Sequence, residues 1–90
     1  SKETFVCIDC ETTGLDAEKD RIIEIAVARF NFHEIFEQYE TLVNPECDIS
    51  ETSLAIHKIH SGMLIDKPKV QEILNHVLSM IGNHIIVGHS

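Results

Sequence analysis

The sequence has no tryptophan, one tyrosine and four phenylalanines, and only four glycines and two prolines in 90 residues. So little Gly and Pro excludes a collagen-like repeat and a low-complexity linker, and 43% hydrophobic content excludes a disordered tail. Bases are scarce too: seven Lys and Arg stand against 15 Asp and Glu, a formal net charge of −8. Lys2, Lys19, Arg21, Arg29, Lys58, Lys67 and Lys69 are scattered and form no basic stripe of the kind that grips phosphates. An acidic chain can still handle nucleic acid when divalent cations neutralise a carboxylate cluster. Three cysteines are an odd number and too few for a disulfide framework, which points to a reducing, cytoplasmic setting. No apolar run approaches the roughly 18 residues of a membrane span, and no basic-then-apolar leader opens the chain. A soluble, unprocessed protein with no membrane partner is expected.

Ninety residues make one domain or part of one. A chain of this size buries about 60–65% of its unfolded surface, enough for one sheet with helices on a face. Thr4–Thr12 (TFVCIDCET), Arg21–Phe30 and Glu34–Val43 are rich in β-formers and predict three strands, the last two joined by a hairpin at Asn31–His33. Asn44-Pro45 ends this run. Ser50 is a candidate N-cap for a helix over Glu51–Ile59, and a short turn comes next around Ser61–Leu64. From Pro68 to Ile81, Val70, Ile73, Leu74, Val77, Leu78 and Ile81 form one apolar helical stripe, with Gly82 suited to the C-terminal cap. His84–His89 (HIIVGH) reads as a buried parallel strand. The order is three strands, two helices and a further strand. An apolar last strand with nothing after it invites self-association, and implies that residues 1–90 are the front part of a domain continuing past Ser90.

The chemistry concentrates in Asp9-Cys10-Glu11. Alternate residues of a strand share a face, so the two carboxylates lie about 6.5–7 Å apart at Cα and can converge on a hard cation. Left ionised and unpaired on a buried strand they would cost several kcal/mol. Either they bind metal or they occupy the solvated end of the strand. Thr12-Thr13-Gly14 adds hydroxyls and a backbone that a ligand can approach closely, and in open α/β sheets ligand sites lie beyond the carboxyl ends of strands.

FVCIDCETTGLD, with RIIEIAVARF after it, resembles the first signature of the DEDD-type (DEDDh) 3′–5′ exonucleases, which include the proofreading epsilon subunit of bacterial DNA polymerase III. The resemblance continues through Val43-Asn44-Pro45, AIHKI (Ala55–Ile59), Met63-Leu64, Asp66-Lys67-Pro68 and Val87-Gly88-His89. It implies an α/β, ribonuclease-H-like mixed sheet, a three-stranded meander with two helices and a parallel strand, incomplete in this chain. It also implies a two-metal phosphodiesterase in which Asp9 and Glu11 help hold two Mg²⁺ or Mn²⁺ ions roughly 3.5–4 Å apart. Thr12 and the backbone of Thr13, Gly14 and Leu15 would line the pocket of the terminal nucleotide, with His57 beside it. The substrate implied is a DNA 3′ end, single-stranded or frayed, with polymerase subunits as further partners in proofreading or repair. The third and fourth acids and the water-activating His would lie beyond Ser90.

The pattern is not matched everywhere. Lys58 stands where the family usually has Gly, Ser90 where it has Asn, and Thr52 where it has an acid, with Glu51 one position out of register. The alternative to the exonuclease is a catalytically inactive nuclease-like interaction module. A third reading takes Cys7-Ile8-Asp9-Cys10 as a redox or zinc motif, but residues three apart on a strand point to opposite faces, so small core side chains are expected instead. Glu34, Glu37 and Glu40 are expected to line an exposed strand face, and His60 to face solvent.

Overall fold

The computed structural model describes residues 3–14, 16, 18, 20–49 and 58–88. The sheet comprises β1 (Phe5–Thr12), β2 (Ile22–Phe30), β3 (Ile35–Leu42) and β4 (Ile85–Gly88), with a 3-10 turn at Ser61–Met63 and one described helix, α1 (Val70–Ile81). Strand order is β3-β2-β1-β4; the first three form an antiparallel meander, and β4 joins β1 in parallel. β1 is therefore central, as expected. The helix expected over Glu51–Ile59, with its Ser50 cap, lies outside the described residues apart from Lys58 and Ile59.

Period-two alternation divides the sheet into two faces. Val6, Ile8, Cys10, Ile25, Val27 and Tyr39 pack toward α1, where Ile73, Val77, Met80 and Ile81 meet them around Val43. Each fully buried aliphatic side chain here contributes about 1.5–3 kcal/mol. A smaller cluster joins Ile23, Ile59 and Leu64. The stripe on α1 differs from its sequence expectation. Met80 is buried, whereas Val70, Leu74 and Leu78 are 41–53% exposed. Ile73, Val77 and Met80, spaced four and three apart, turn one edge of the stripe onto the sheet, and the other edge overhangs it.

The helix also starts later than Pro68. Its N-cap is Lys69, whose N–H donates to the Glu72 carboxylate at 2.8 Å; Pro68, just outside, accepts the Asn44 N–H at 2.9 Å and ties the helix to the end of β3. Gly82, at φ 49°, closes the last turn through its N–H to Leu78. β4 is parallel, as the sequence suggested, but not buried: Ile85, Ile86 and Val87 are about half exposed, because β4 is an edge strand and α1 crosses chiefly β2. Glu37 and Glu40 do not share a face. Glu37 lies on the helix side, 3.2 Å from Arg29 and 3.9 Å from His76, whereas Glu40 is exposed on the other.

Candidate functional site

On the face away from α1, β1 presents Cys7, Asp9 and Glu11. In the ladder Asp9 stands opposite Ala26, which is opposite Glu40, and Cys7 is opposite Ala28, which is opposite Gln38. The two alanines leave a cavity of about 260 Å³, with Asp9 at one side and Gln38 and Glu40 at the other. A larger hollow of about 340 Å³ is lined by neither Asp9 nor Glu11; Asp20, Arg21, Asn44 and Glu46 supply polar groups to it beside Val43, Pro45 and Val70. Glu11 stands opposite Glu24. One step on, the register slips: Thr12 pairs with Ile22, so β2 carries an extra residue, Ile23, which is fully buried in the smaller cluster. Such bulges bend a strand and re-aim the side chains beyond them. This one occurs where β1 hands over to the loop after Glu11.

The loop is tightly organised. Thr13 is fully buried; its N–H donates to the Arg21 carbonyl at 2.9 Å, and its hydroxyl donates to Asp20 Oδ1 at 2.7 Å while accepting the Arg21 N–H at 2.9 Å. Asp20 Oδ2 accepts the Asp16 N–H at 2.7 Å, and the Thr12 hydroxyl donates to the Gly14 carbonyl. A Cβ on Gly14 would lie 2.5 Å from Asp20 Oδ2, so any other residue there must displace the Asp20 carboxylate. The half-buried side chain at position 12 and the backbone at Gly14 thus come directly after the carboxylate pair. Thr13 is turned inward onto Asp20, and Leu15 and His57 lie outside the described residues. Asp20 was not legible as a site residue, since one acid in a polar loop carries no periodic signal.

Cys10 points away from Asp9, into the core cluster, while Cys7 lines the open-face cavity and Cys47 is exposed. The C-x-x-C spacing therefore brings no thiol pair together, and of the two side chains expected in the core only Cys10 packs there, Cys7 lying on the open face. Burial, then the nearby Asp9 and Glu11 carboxylates, pushes the Cys10 thiol above its ordinary 9.0. The same negative potential favours a cation on the opposite face of β1. Among the described residues no three His, Cys, Asp or Glu side chains gather closely enough to hold a metal ion. Asp9 and Glu11 alone nevertheless suit Mg²⁺, which binds through one or two carboxylates and fills its remaining positions with water and substrate phosphate oxygens.

Residues 6–90 match the exonuclease family RNase_T. The PolC-type DNA polymerase III of Thermotoga petrophila is 41% identical over 87 residues, and that of Staphylococcus aureus 37%. These matches cover 97% of this chain but 6% of either polymerase, so the chain spans a small fraction of the relatives it resembles. Both polymerases are of the PolC type. Among solved structures, exonuclease X in complex with 5′-overhanging duplex DNA superimposes with a TM-score of 0.71 at 35% identity, over 80% of this chain and 42% of that one. Exonuclease I superimposes with a TM-score of 0.84 at 18% identity, over 100% of this chain and 21% of that one, a likeness of fold alone. The chain belongs to the exonuclease family. Its four-stranded mixed sheet with a helix on one face is the ribonuclease-H-like arrangement, in part.

Proposed function

We propose that the protein containing this chain is a 3′–5′ exonuclease that hydrolyses the terminal phosphodiester of a DNA strand, using Mg²⁺ or Mn²⁺ held in part by Asp9 and Glu11. The observation that carries this reading is the placement of both carboxylates on one open face of the central strand, where Asp9 borders a cavity floored by alanines. The DNA polymerase relatives and the DNA-bound exonuclease X support DNA as substrate and a proofreading setting with polymerase domains as partners. They also favour the enzyme over an inactive interaction module.

A bound divalent ion supplies a more acidic water and charge neutralisation at the scissile phosphate. The residues of this chain supply part of the rest. Asp9 and Glu11 concentrate negative charge toward the end of β1 and would hold the ion. Ala26 and Ala28 leave room beside them. Thr12 and the backbone of Thr13, Gly14 and Leu15 hold the terminal nucleotide, with His57 against it. The remaining acids and the general base are expected beyond residue 90, so the activity is expected of the longer protein.

The test is stepwise shortening of a 5′-labelled single-stranded oligonucleotide by the full-length protein with Mg²⁺ or Mn²⁺. Asp9→Asn and Glu11→Gln should each lower the rate about 100-fold or more, with the circular dichroism spectrum unchanged. Near-normal shortening by both variants would remove these carboxylates from the site.

A further inference from the structure

Asp20 lies in the loop between β1 and β2, eight residues from the end of β1, yet its carboxylate is the hub on which the segment after the candidate metal ligands is folded. Its Oδ1 takes the hydroxyl proton of the fully buried Thr13, and its Oδ2 takes the Asp16 N–H, both at 2.7 Å. Its own N–H returns to the Asp16 carbonyl at 2.8 Å. Next door, Arg21 closes the same loop through its N–H to the Thr13 hydroxyl and its carbonyl to the Thr13 N–H. Gly14 lacks the Cβ that would collide with all three atoms of the carboxylate group. A carboxylate seated against a glycine, bonded on both oxygens, is a fixed point.

We propose that Asp20 is a positioning residue for substrate: it holds the backbone at Thr12, Thr13 and Gly14 in the shape that receives the terminal nucleotide, without touching substrate itself. This deepens the exonuclease reading and rests on it. Bonds to a carboxylate are stronger than neutral ones, and a displacement of about 1 Å in a binding wall can cost two orders of magnitude in rate. The consequence should fall on substrate binding more than on the chemical step, because Asp9 and Glu11 are held by the β1 ladder and not by this loop.

The test uses the full-length protein and a single-stranded DNA oligonucleotide with saturating Mn²⁺. Asp20→Ala should raise KM about ten-fold or more while kcat stays within about three-fold. Asp20→Asn, which keeps one acceptor for Thr13 but turns an amide toward the Asp16 N–H, should raise KM less. Gly14→Ala should reproduce the KM effect by displacing the carboxylate, and the double variant should be no worse than either single one, because both break the same contact. Hydrogen exchange at the Asp16 and Arg21 amides should accelerate in Asp20→Ala and Asp20→Asn. A fall in kcat and melting temperature at unchanged KM would assign Asp20 a merely structural role and overturn the proposal, as would additive effects of the Gly14 and Asp20 substitutions. A wild-type protein inactive on DNA would instead overturn the exonuclease reading, with the exchange measurement still reporting on the loop.

Discussion

Glu11 of β1 and Glu24 of β2 are directly opposite each other in the antiparallel ladder, two carboxylates on the face that also carries Asp9. Like charges in that position destabilise a sheet by about 0.2–1 kcal/mol. Glu24→Gln should therefore raise the metal-free protein's unfolding free energy by an amount in that range, measured from urea midpoints at constant slope. Adding Mn²⁺ should stabilise the wild type, because an ion bound only by the folded state adds stability by mass action. Glu11→Gln should blunt that gain. A Mn²⁺ response of undiminished size in Glu11→Gln would place the ion elsewhere.

Lys58 has a φ of 62°, in the left-handed region that glycine adopts freely and other residues adopt at a cost. It is also where the family usually has Gly. Lys58→Gly should stabilise the protein by about 0.5–1 kcal/mol, the relief of strain exceeding the extra chain entropy of glycine. Loss of stability on this substitution, read from thermal or urea unfolding, would mean that the lysine side chain is recovering that cost through contacts.

The three thiols should separate in a labelling experiment. Cys47 is exposed and should react first with an alkylating reagent; Cys10, with its pKa raised by burial and by the flanking carboxylates, should react last. The same shift gives a pH dependence. A thiol whose folded pKa lies above its unfolded one keeps its proton longer in the folded state. Its contribution to stability is thus complete below the unfolded pKa and declines as pH rises past about 9. Cys10→Ser should flatten that decline, and an unchanged alkaline limb would assign it to other groups.

The overhanging side of α1 and the β4 edge expose Val70, Leu74, Leu78, Ile85, Ile86 and Val87 together. Alone, the 90-residue chain should self-associate through these apolar residues, detectable as a concentration-dependent sedimentation coefficient. Leu74→Glu with Leu78→Lys should suppress it. A monomer at several hundred micromolar would show that this surface is tolerated bare.

The strands were legible almost to their ends, since Phe5–Thr12 and Ile22–Phe30 combine β-branched residues with bounding turns. Asp9 and Glu11 could be placed on one face from parity alone. The features that could not be read depended on partners distant in sequence. Met80 replaces Leu74 and Leu78 in the core because the position of α1 over β2 selects which part of a wide stripe is covered. The exposure of Ile85–Val87 comes from edge placement, which a local apolar run cannot encode. Glu37 and Glu40 share a charge but differ in strand parity, and parity decides the face each occupies. The bulge at Ile23 and the role of Asp20 arise from loop closure, which has no periodicity to detect.

The parallel pairing of β4 with β1 joins Phe5 to Ile85 and Cys7 to Val87, partners eighty positions apart. During synthesis at about 5–20 residues per second, β1 would wait roughly 4–16 s for that neighbour. Through this interval the strand bearing Asp9 and Glu11 has a β2 hairpin on one flank and unsatisfied amides on the other. The carboxylates that suit it to bind a cation also supply charge that discourages other nascent chains from docking there first.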